Sequence, residues 1–554
     1  MPKTRTQNTT PEAEKQDPKR ADAIRDLERL TEEAVLNAPA AKGTLTPEDL
    51  KPKKRGRRKK DDGEEGEDKE DKKKGPTRAQ LAVSIALEEG ASVFLDPDGK
   101  TCIDTPPSRK TGRRTFRVRA ARPWLSALLY EREGLALTPS QAQEAEAILE
   151  ALAYNTGEPR EVYTRLAHHE GRIYLDLGDE TWDAVQVTAE GWKIVSSHPV
   201  RFVRPSSLRP LPRPIDGKGT GWGDFRRIMH NPKEEDFILL VAWLVGTLSK
   251  GPYTILALAS EQGTGKTTQG KLLRRLVDPN KAELRPAPSN EKDLMIQAEN
   301  SLICGFDNLS SVPQWLSDAL CRLSTGAGFS SRELYTDAGE VILSARRPVI
   351  LTSIGTVTNR EDLAERSVPV RLPFIPEEAR RAEEEVFREA EAVTPQILGA
   401  LLDAVSVGLR RLETVQKSNL PRMADFCRWV MACEPALPWE EGRFLEVYRD
   451  ALEQSVIQGI ENNPLAKAIV DLLEGEPGRR WTGGLDPLLR RLKQVAGIVG
   501  EASPVGWPRS NKGLGGSLDR VMPLLRSAHG IELHRHKHPD LRSVEVTLTL
   551  PARK

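Results

Sequence analysis

Apolar positions along this chain change period several times, and each change marks an element boundary. Between 78 and 155 they recur every three to four residues in RAQLAVSIALEEG and SQAQEAEAILEALAYNTG, which predicts two helices. Between these, ARPWL preceded by RRTFRVR reads as a strand. From 160 the period drops to two. The runs RIYLDL (172–177), DAVQVT (183–188), WKIVSS (192–197) and VRFVRP (200–205), separated by Gly-Asp and Glu-Gly turns, predict an antiparallel meander. The stretch SSLRPLPRPIDGKG (206–219), rich in proline and arginine, reads as a linker.

From 222 to 376, helices alternate with short, wholly apolar runs. A helix, EDFILLVAWLVGTLS (235–249), precedes the strand YTILALA (253–259), followed by the strands SLICGF (301–306), RPVILTS (347–353) and SVPVRL (367–372). That alternation predicts an α/β unit. Residues 377–462 carry helical spacing, clearest in EEARRAEEEVFREAEAV and QILGALLDAVSVGLRRLE. In 463–554, short helices lead to GIELHRHKH and SVEVTLTLP, a terminal hairpin that suggests a winged-helix module. The division expected is a charged tail (1–77), an α+β domain with the meander (78–205), an α/β core (222–376), a helical region (377–462) and the C-terminal module (463–554).

Composition sharpens this picture at its ends. Residues 1–77 hold no aromatic residue and few aliphatic ones, and join KPKKRGRRKK (51–60) to DDGEEGED (61–68), so they cannot offset their ordering entropy and are expected to be disordered. Within them, ADAIRDLERLTEEAVL (21–36) has the spacing of a transient or docking helix. The net charge of +1 excludes a uniformly basic nucleic-acid binder while leaving local patches open. The 5 cysteines are scattered and never spaced as C-x-x-C, which argues against a disulfide framework or zinc ribbon. No apolar run reaches membrane-span length and no signal-peptide core is evident, so the expected compartment is the cytoplasm of a bacterial host, with no membrane partner.

The chemistry concentrates at ASEQGTGKTT (259–268). An apolar strand runs into a loop that opens the helix TTQGKLLRRLV, the context in which G-x-x-x-x-G-K-[ST] is a phosphate-binding P-loop. The backbone of Gln262, Gly263, Thr264, Gly265, Lys266, Thr267 and Thr268 would cradle the phosphates of ATP at a helix N-terminus. Lys266 would reach the β- and γ-phosphates, and the Thr267 hydroxyl would ligate Mg²⁺. Ser260 stands where the pattern has its first glycine, at a position that only lets the chain leave the strand. SLICGFDN supplies a second metal-facing acid, Asp307, at the carboxyl edge of the sheet. Asn308 follows, where a Glu or Asp would act as general base. An amide orients water but takes no proton, so Glu261, Glu333 or Glu340 serves instead, or hydrolysis is slow.

Beyond this point the residues resemble a family. LCRLSTGAGFSSRELYTD (320–337) is similar to the motif that superfamily 3 helicases of viruses, phages and plasmids (AAA+ class ATPases) carry between the metal-binding acid and the next strand. RPVILTS resembles the strand of their γ-phosphate sensor, which places Thr352 at the sensor position, and DLAERSVPVRLPF resembles their arginine-then-strand element. The meander with YLDLGDETW resembles the segment preceding the core in phage and mobile-element replication ATPases of the poxvirus primase-helicase type. The resemblance implies a homo-oligomeric, hexameric ring with ATP between subunits and Arg366 as arginine finger. It also implies a hairpin from 323–339 whose Arg332 grips single-stranded DNA in the pore, and a separate primase or polymerase as partner. Ser260, Asn308 and Thr352-Ser353, where a sensor Asn is usual, depart from the family's pattern.

Lesser features stay open. Arg55 and Arg57 in the basic block would insert into a minor groove, attract phosphate non-specifically, or be solvated beside their acidic neighbours. His534, His536 and His538 share one strand face, as metal ligands, a basic wing or an exposed hairpin. The function expected is an ATP-dependent DNA helicase or translocase replicating a phage, plasmid or integrated element. The rivals are a nucleotide-gated DNA-binding switch or loader and a packaging or transposition ATPase.

Overall fold

The computed structural model describes residues 75–551, apart from 109–110, 157–158, 217–220, 261–262, 327–328, 333–339, 344, 354–359, 499–503, 505–506 and 538–543. The first unit is built from α1 (Arg78–Glu88), the antiparallel strands β1 (Ser92–Leu95), β2 (Thr101–Thr105) and β3 (Arg114–Arg117), then α2 (Arg122–Glu133) and α3 (Pro139–Thr156). Thr77 caps α1 through a reciprocal capping box with Gln80. ARPWL, expected as a strand, instead opens α2: Pro123 sits in the first turn, where its missing N–H costs nothing. Ala79, Val83, Ile103, Leu125 and Leu149 close this unit's core.

The meander follows as β4 (Leu166–His169), β5 (Arg172–Asp176), β6 (Ala184–Thr188) and β7 (Gly191–Val195), each antiparallel to the next. The strand at 166–169 adds to the expected set. VRFVRP, expected to complete the meander, forms only single bridges, Phe202 with Tyr163 and Val203 with Thr115. Alternation gives the sheet two apolar faces. Ala167, Tyr174 and Ala184 pack with Phe202, while Leu166, Ile173, Leu175, Val185 and Val187 join the large core that also holds the central helices. The linker expected at 206–219 therefore separates no cores.

Next come α4 (Gly221–Ile228), α5 (Glu234–Thr247), β8 (Ile255–Ala259), α6 (Lys266–Val277), α7 (Glu291–Glu299), β9 (Cys304–Leu309) and α8 (Gln314–Thr325). The hairpin β10 (Phe329–Arg332) and β11 (Glu340–Leu343) precedes β12 (Val349–Ser353), α9 (Glu361–Ala364) and β13 (Ser367–Val370). Four strands form one parallel sheet in the order β13-β8-β12-β9. One face, with Leu256, Leu258, Ile350 and Val368, packs on helices of the large core. The other, with Ile255, Phe306, Val349 and Leu351, packs on α7 and α8. Because both faces are covered, the strands read as unbroken apolar runs. Helix α5 is buried from Phe237 to Thr247, which explains why its sequence lacks a polar stripe.

The remaining elements are α10 (Glu383–Arg411), α11 (Ala424–Cys433), α12 (Arg443–Glu461), α13 (Pro464–Gly475), β14 (Arg480–Gly484), α14 (Leu485–Val495), α15 (Asn511–His529), β15 (Glu532–Lys537) and β16 (Val544–Thr549). Among the described residues α10 begins the one helix apolar and long enough to cross a membrane, and its apolar face lies in the large core. It also holds the meander: Trp192 Nε1 donates to Asp403 at 2.8 Å and Ser406 Oγ to the Thr188 carbonyl at 2.7 Å. The last elements enclose their own core, in which Ile469 and Leu472 pack with Leu488, Leu518, Leu525 and Val546 under a sheet ordered β14-β16-β15.

Candidate functional site

The glycine loop sits where a parallel strand hands over to a helix. β8 ends at Ala259 and α6 starts at Lys266, with Gly263 at φ 83° and Gly265 at φ 68° between them. Both angles fall in the left-handed region, which glycine enters without strain. A Cβ at Gly263 would lie 3.2 Å from Arg380 Nη2 and 3.4 Å from Phe374 Cε2, and one at Gly265 would lie 3.2 Å from Ile375 Cδ1. The first N–H groups of α6 have no partner within the helix and give this end a positive potential. Lys266 Nζ reaches back across the loop to the Ser260 carbonyl at 2.7 Å. Burial lowers its pKa below the ordinary lysine value, against an opposing pull from the Asp307 carboxylate.

Ser260, the irregular position of the motif, has a structural task. Its hydroxyl donates to the Ala259 carbonyl at 2.7 Å and accepts the Leu372 N–H at 2.8 Å. It thereby joins the mouth of the loop to the chain leaving β13, a link no glycine side chain could make.

Asp307 lies inside β9 rather than just beyond the strand. Thr267 Oγ1 donates to its carboxylate, 2.9 Å from Oδ1 and 3.1 Å from Oδ2, and the Thr352 hydroxyl, on neighbouring β12, donates to Oδ1. The ladder between β9 and β12 is irregular here: Leu351 pairs with Phe306 and Ser353 with Leu309, so Asp307 and Asn308 together face Thr352. This is a bulge. Asn308 takes φ 54° and its N–H donates to Thr352 Oγ1 at 2.8 Å. Asparagine tolerates left-handed backbone better than glutamate does, a conformational reason for an amide at this position. A hydroxyl and a carboxylate in contact form an all-oxygen donor pair suited to Mg²⁺.

One feature near the loop has no counterpart among the sequence expectations. The chain after β13 folds back over the loop, bringing Phe374, Ile375 and Arg380 against the two glycines. Phe374 remains 58% exposed despite its size. This strap is fastened beyond Arg380, where Glu383 accepts from Lys271 at 2.8 Å and from Thr268 at 3.4 Å. Its sequence, RLPFIPEEARR, has no periodicity; the Arg380-Arg381 pair behind a proline-bounded turn is the only local signal.

Arg366, expected to act across a subunit interface, is held by an ion pair within this chain. Its Nη1 donates to the Asp362 carbonyl at 2.7 Å and pairs with the Asp362 carboxylate, and its side chain is 12% exposed. Spacing of four residues across α9 brings the pair together. The Arg366 carbonyl accepts from Ile255 at the amino end of β8, so within one chain this arginine and the glycine loop lie at opposite ends of the strand, about 15 Å apart. Arg360, paired with Asp318 at 2.9 Å, and Arg422, paired with Glu365 at 2.6 Å and Asp362 at 3.3 Å, are more exposed members of the same cluster. The Nε atoms of Arg360 and Arg366 are buried without a partner among the described residues.

The hairpin expected from 323–339 is displaced toward the C-terminus: β10 pairs with β11 from Phe329–Leu343 to Arg332–Glu340, and residues up to Thr325 belong to α8. The Arg332 and Glu340 side chains, together with Arg55, Arg57, Glu261, Gln262, Glu333 and His538, lie outside the described residues. Among the described residues no cluster of three or more His, Cys, Asp or Glu side chains could hold a metal.

Comparison with known proteins places the chain. No curated protein matches it. Among solved structures, the C-terminal region of NrS-1 is 12% identical, with 86% of this chain and 100% of that chain aligned at a TM-score of 0.36. The helicase Cch of SCCmec type IV is 12% identical over 69% and 77% of the two chains, at a TM-score of 0.40. The JCV helicase is 11% identical over 42% and 72%, at a TM-score of 0.18. Residues 226–456 match the family model of the actinomycete integrative conjugative element replication protein, and 465–553 match that of the AICE RepA C-terminal domain. With more than half its length matched by these two models, the chain belongs to the RepA replication proteins of actinomycete integrative conjugative elements.

Proposed function

We propose that this replication protein is an ATP-dependent DNA helicase or translocase of the superfamily 3 type. The observation that carries the reading is the convergence of Lys266, Thr267 and Asp307 at the carboxyl edge of the parallel sheet, beside the N-terminus of α6. The amides of 263–268 would hold the phosphates of ATP, with Lys266 exchanging the Ser260 carbonyl for phosphate oxygens. Thr267 and Asp307 would hold Mg²⁺, which supplies charge neutralisation to phosphoryl transfer. Thr352 fixes the Asp307 carboxylate, and Arg380 adds a cation at the loop from the same chain.

The oligomer proposed is a hexameric ring. The cation that reaches a neighbouring subunit's phosphates is Arg366 once freed from Asp362, or one of its more exposed neighbours, Arg360 and Arg422. The β10–β11 hairpin would carry Arg332 to single-stranded DNA, where phosphate contacts dominate affinity. The order helix, strand, helix, helix, ribbon in α13, β14, α14, α15 and β15–β16 fits a winged helix, which would lay α15 on duplex DNA. The tail with Arg55 and Arg57 would add non-specific phosphate attraction. A separate primase or polymerase would extend the exposed strand.

ATP turnover measured with and without single-stranded DNA tests the reading. DNA-stimulated turnover and strand displacement are expected from wild type, with turnover lost in Lys266→Ala. Loss in Arg366→Ala alone, or in Arg360→Ala alone, identifies the arginine that acts between subunits. Asn308 favours a second reading, a nucleotide-gated switch or loader; tight ATP binding without turnover on any DNA would establish it.

A further inference from the structure

Phe374 is a wall shared by two spaces. One edge of its ring faces the glycine loop, 3.4 Å from the Cβ position of Gly263. The ring also lines a cleft of about 550 Å³ bounded by the start of α5, by Ala257 and Ala259 at the end of β8, by the chain leaving β13 and by one face of α12. This volume falls within the range of small-ligand sites. The small side chains of Ala257, Ala259 and Ala451 keep it open, and Leu239, Pro373 and Phe374 give it apolar walls. Three carboxylates line the cleft; Glu235 and Asp450 are exposed to solvent, and the one partly buried is Asp236. Its Oδ1 accepts the Arg371 N–H at 2.9 Å. Burial raises the Asp236 pKa, the sign of a carboxylate with fewer donors than it would have in water.

We infer that this cleft receives the base of the bound nucleoside triphosphate and that Asp236 reads the 6-amino group of adenine. The inference rests on the nucleotide reading above. A planar base slides between apolar walls, with Phe374 offering a ring face for stacking. With Oδ1 already engaged by Arg371, the other carboxylate oxygen matches a single N–H donor. A 6-keto purine would set its oxygen against that carboxylate, two acceptors with no proton between them. The strap therefore serves both ends of the nucleotide, with Arg380 at the phosphates and Phe374 at the base.

Equilibrium binding of ATP, ITP and inorganic tripolyphosphate to the full chain, with Mg²⁺, tests this. Wild type should bind ATP at least about tenfold more tightly than ITP, which carries oxygen in place of the 6-amino group. Asp236→Asn keeps the acceptor for Arg371 and offers an amide donor to the keto oxygen, so it should narrow or invert the ATP:ITP ratio. Ala451→Phe fills the cleft and should weaken ATP about tenfold while leaving tripolyphosphate unchanged. Equal affinity of wild type for ATP and tripolyphosphate, or an unaltered ATP:ITP ratio in Asp236→Asn, would overturn the base site and leave the phosphate loop standing. Failure of wild type to bind any of the three would remove the phosphate-loop reading and this inference together.

Discussion

The Thr352 hydroxyl donates to Asp307 and accepts the N–H of Asn308 at 2.8 Å, so one buried side chain fixes both residues of the bulge. Thr352→Val keeps the shape, removes both bonds and strands the Asn308 N–H, at a cost of about 1–3 kcal/mol. As a positioning residue behind the proposed Mg²⁺ ligand, Thr352 should also matter to turnover by about 10–100-fold. Thr352→Ser should restore both. Steady-state ATPase assays beside thermal unfolding check this; a Val variant with lowered stability but unchanged turnover and Mg²⁺ dependence would confine the residue to a structural role.

Asn308 makes a prediction with an unusual sign. Glycine inside a strand normally costs stability relative to alanine, but at φ 54° the order should reverse. Asn308→Gly should be more stable than Asn308→Ala by about 1 kcal/mol, and Asn308→Glu should resemble the alanine variant. Urea denaturation of the three variants measures the order.

The glycine loop, Asp307 and the parallel strands were legible because their signals are local: an apolar run, a loop motif and a helix follow one another in sequence. The bulge was not, because its cause is the register between β9 and β12, strands separated by more than forty residues. The strap is likewise a tertiary fact, set by where the chain turns after β13. Arg366 was legible as an arginine ahead of a strand, whereas its partner Asp362 depends on α9 being helical. ARPWL misled because an aromatic and apolar run with proline fits a strand edge as well as a first helical turn.

A buried junction holds the meander to the central sheet. Asp278 accepts the N–H groups of Leu302 at 3.1 Å and Ile303 at 3.0 Å, and stands 3.5 Å from Arg165 and 3.4 Å from Arg274, whose side chains are 0% and 1% exposed. Asp278→Ala would leave two buried guanidinium groups without their carboxylate. Loss of about 3–5 kcal/mol is expected, read as a fall in the urea midpoint followed by tryptophan fluorescence. Since Arg165 lies just before β4, limited proteolysis should cut the meander in this variant before the central domain.

His168 should make the same boundary sensitive to acid. Its Nε2 donates to the Ser249 carbonyl at 3.0 Å, across from the meander to the end of α5, and burial with nearby Lys250 pushes its pKa down to about 4. A lowered histidine pKa means that the unfolded chain takes up the proton first. The neutral ring's contribution is therefore complete above the unfolded value near 6.5 and is lost as pH falls toward about 4. The full span amounts to about 3 kcal/mol. Unfolding free energies of wild type and His168→Gln at pH 7.5 and pH 4.5 (chosen to span most of that window, ~3 pH units apart) should differ in slope, with the glutamine variant losing less stability on acidification. Parallel pH profiles would show that the proton is taken up elsewhere.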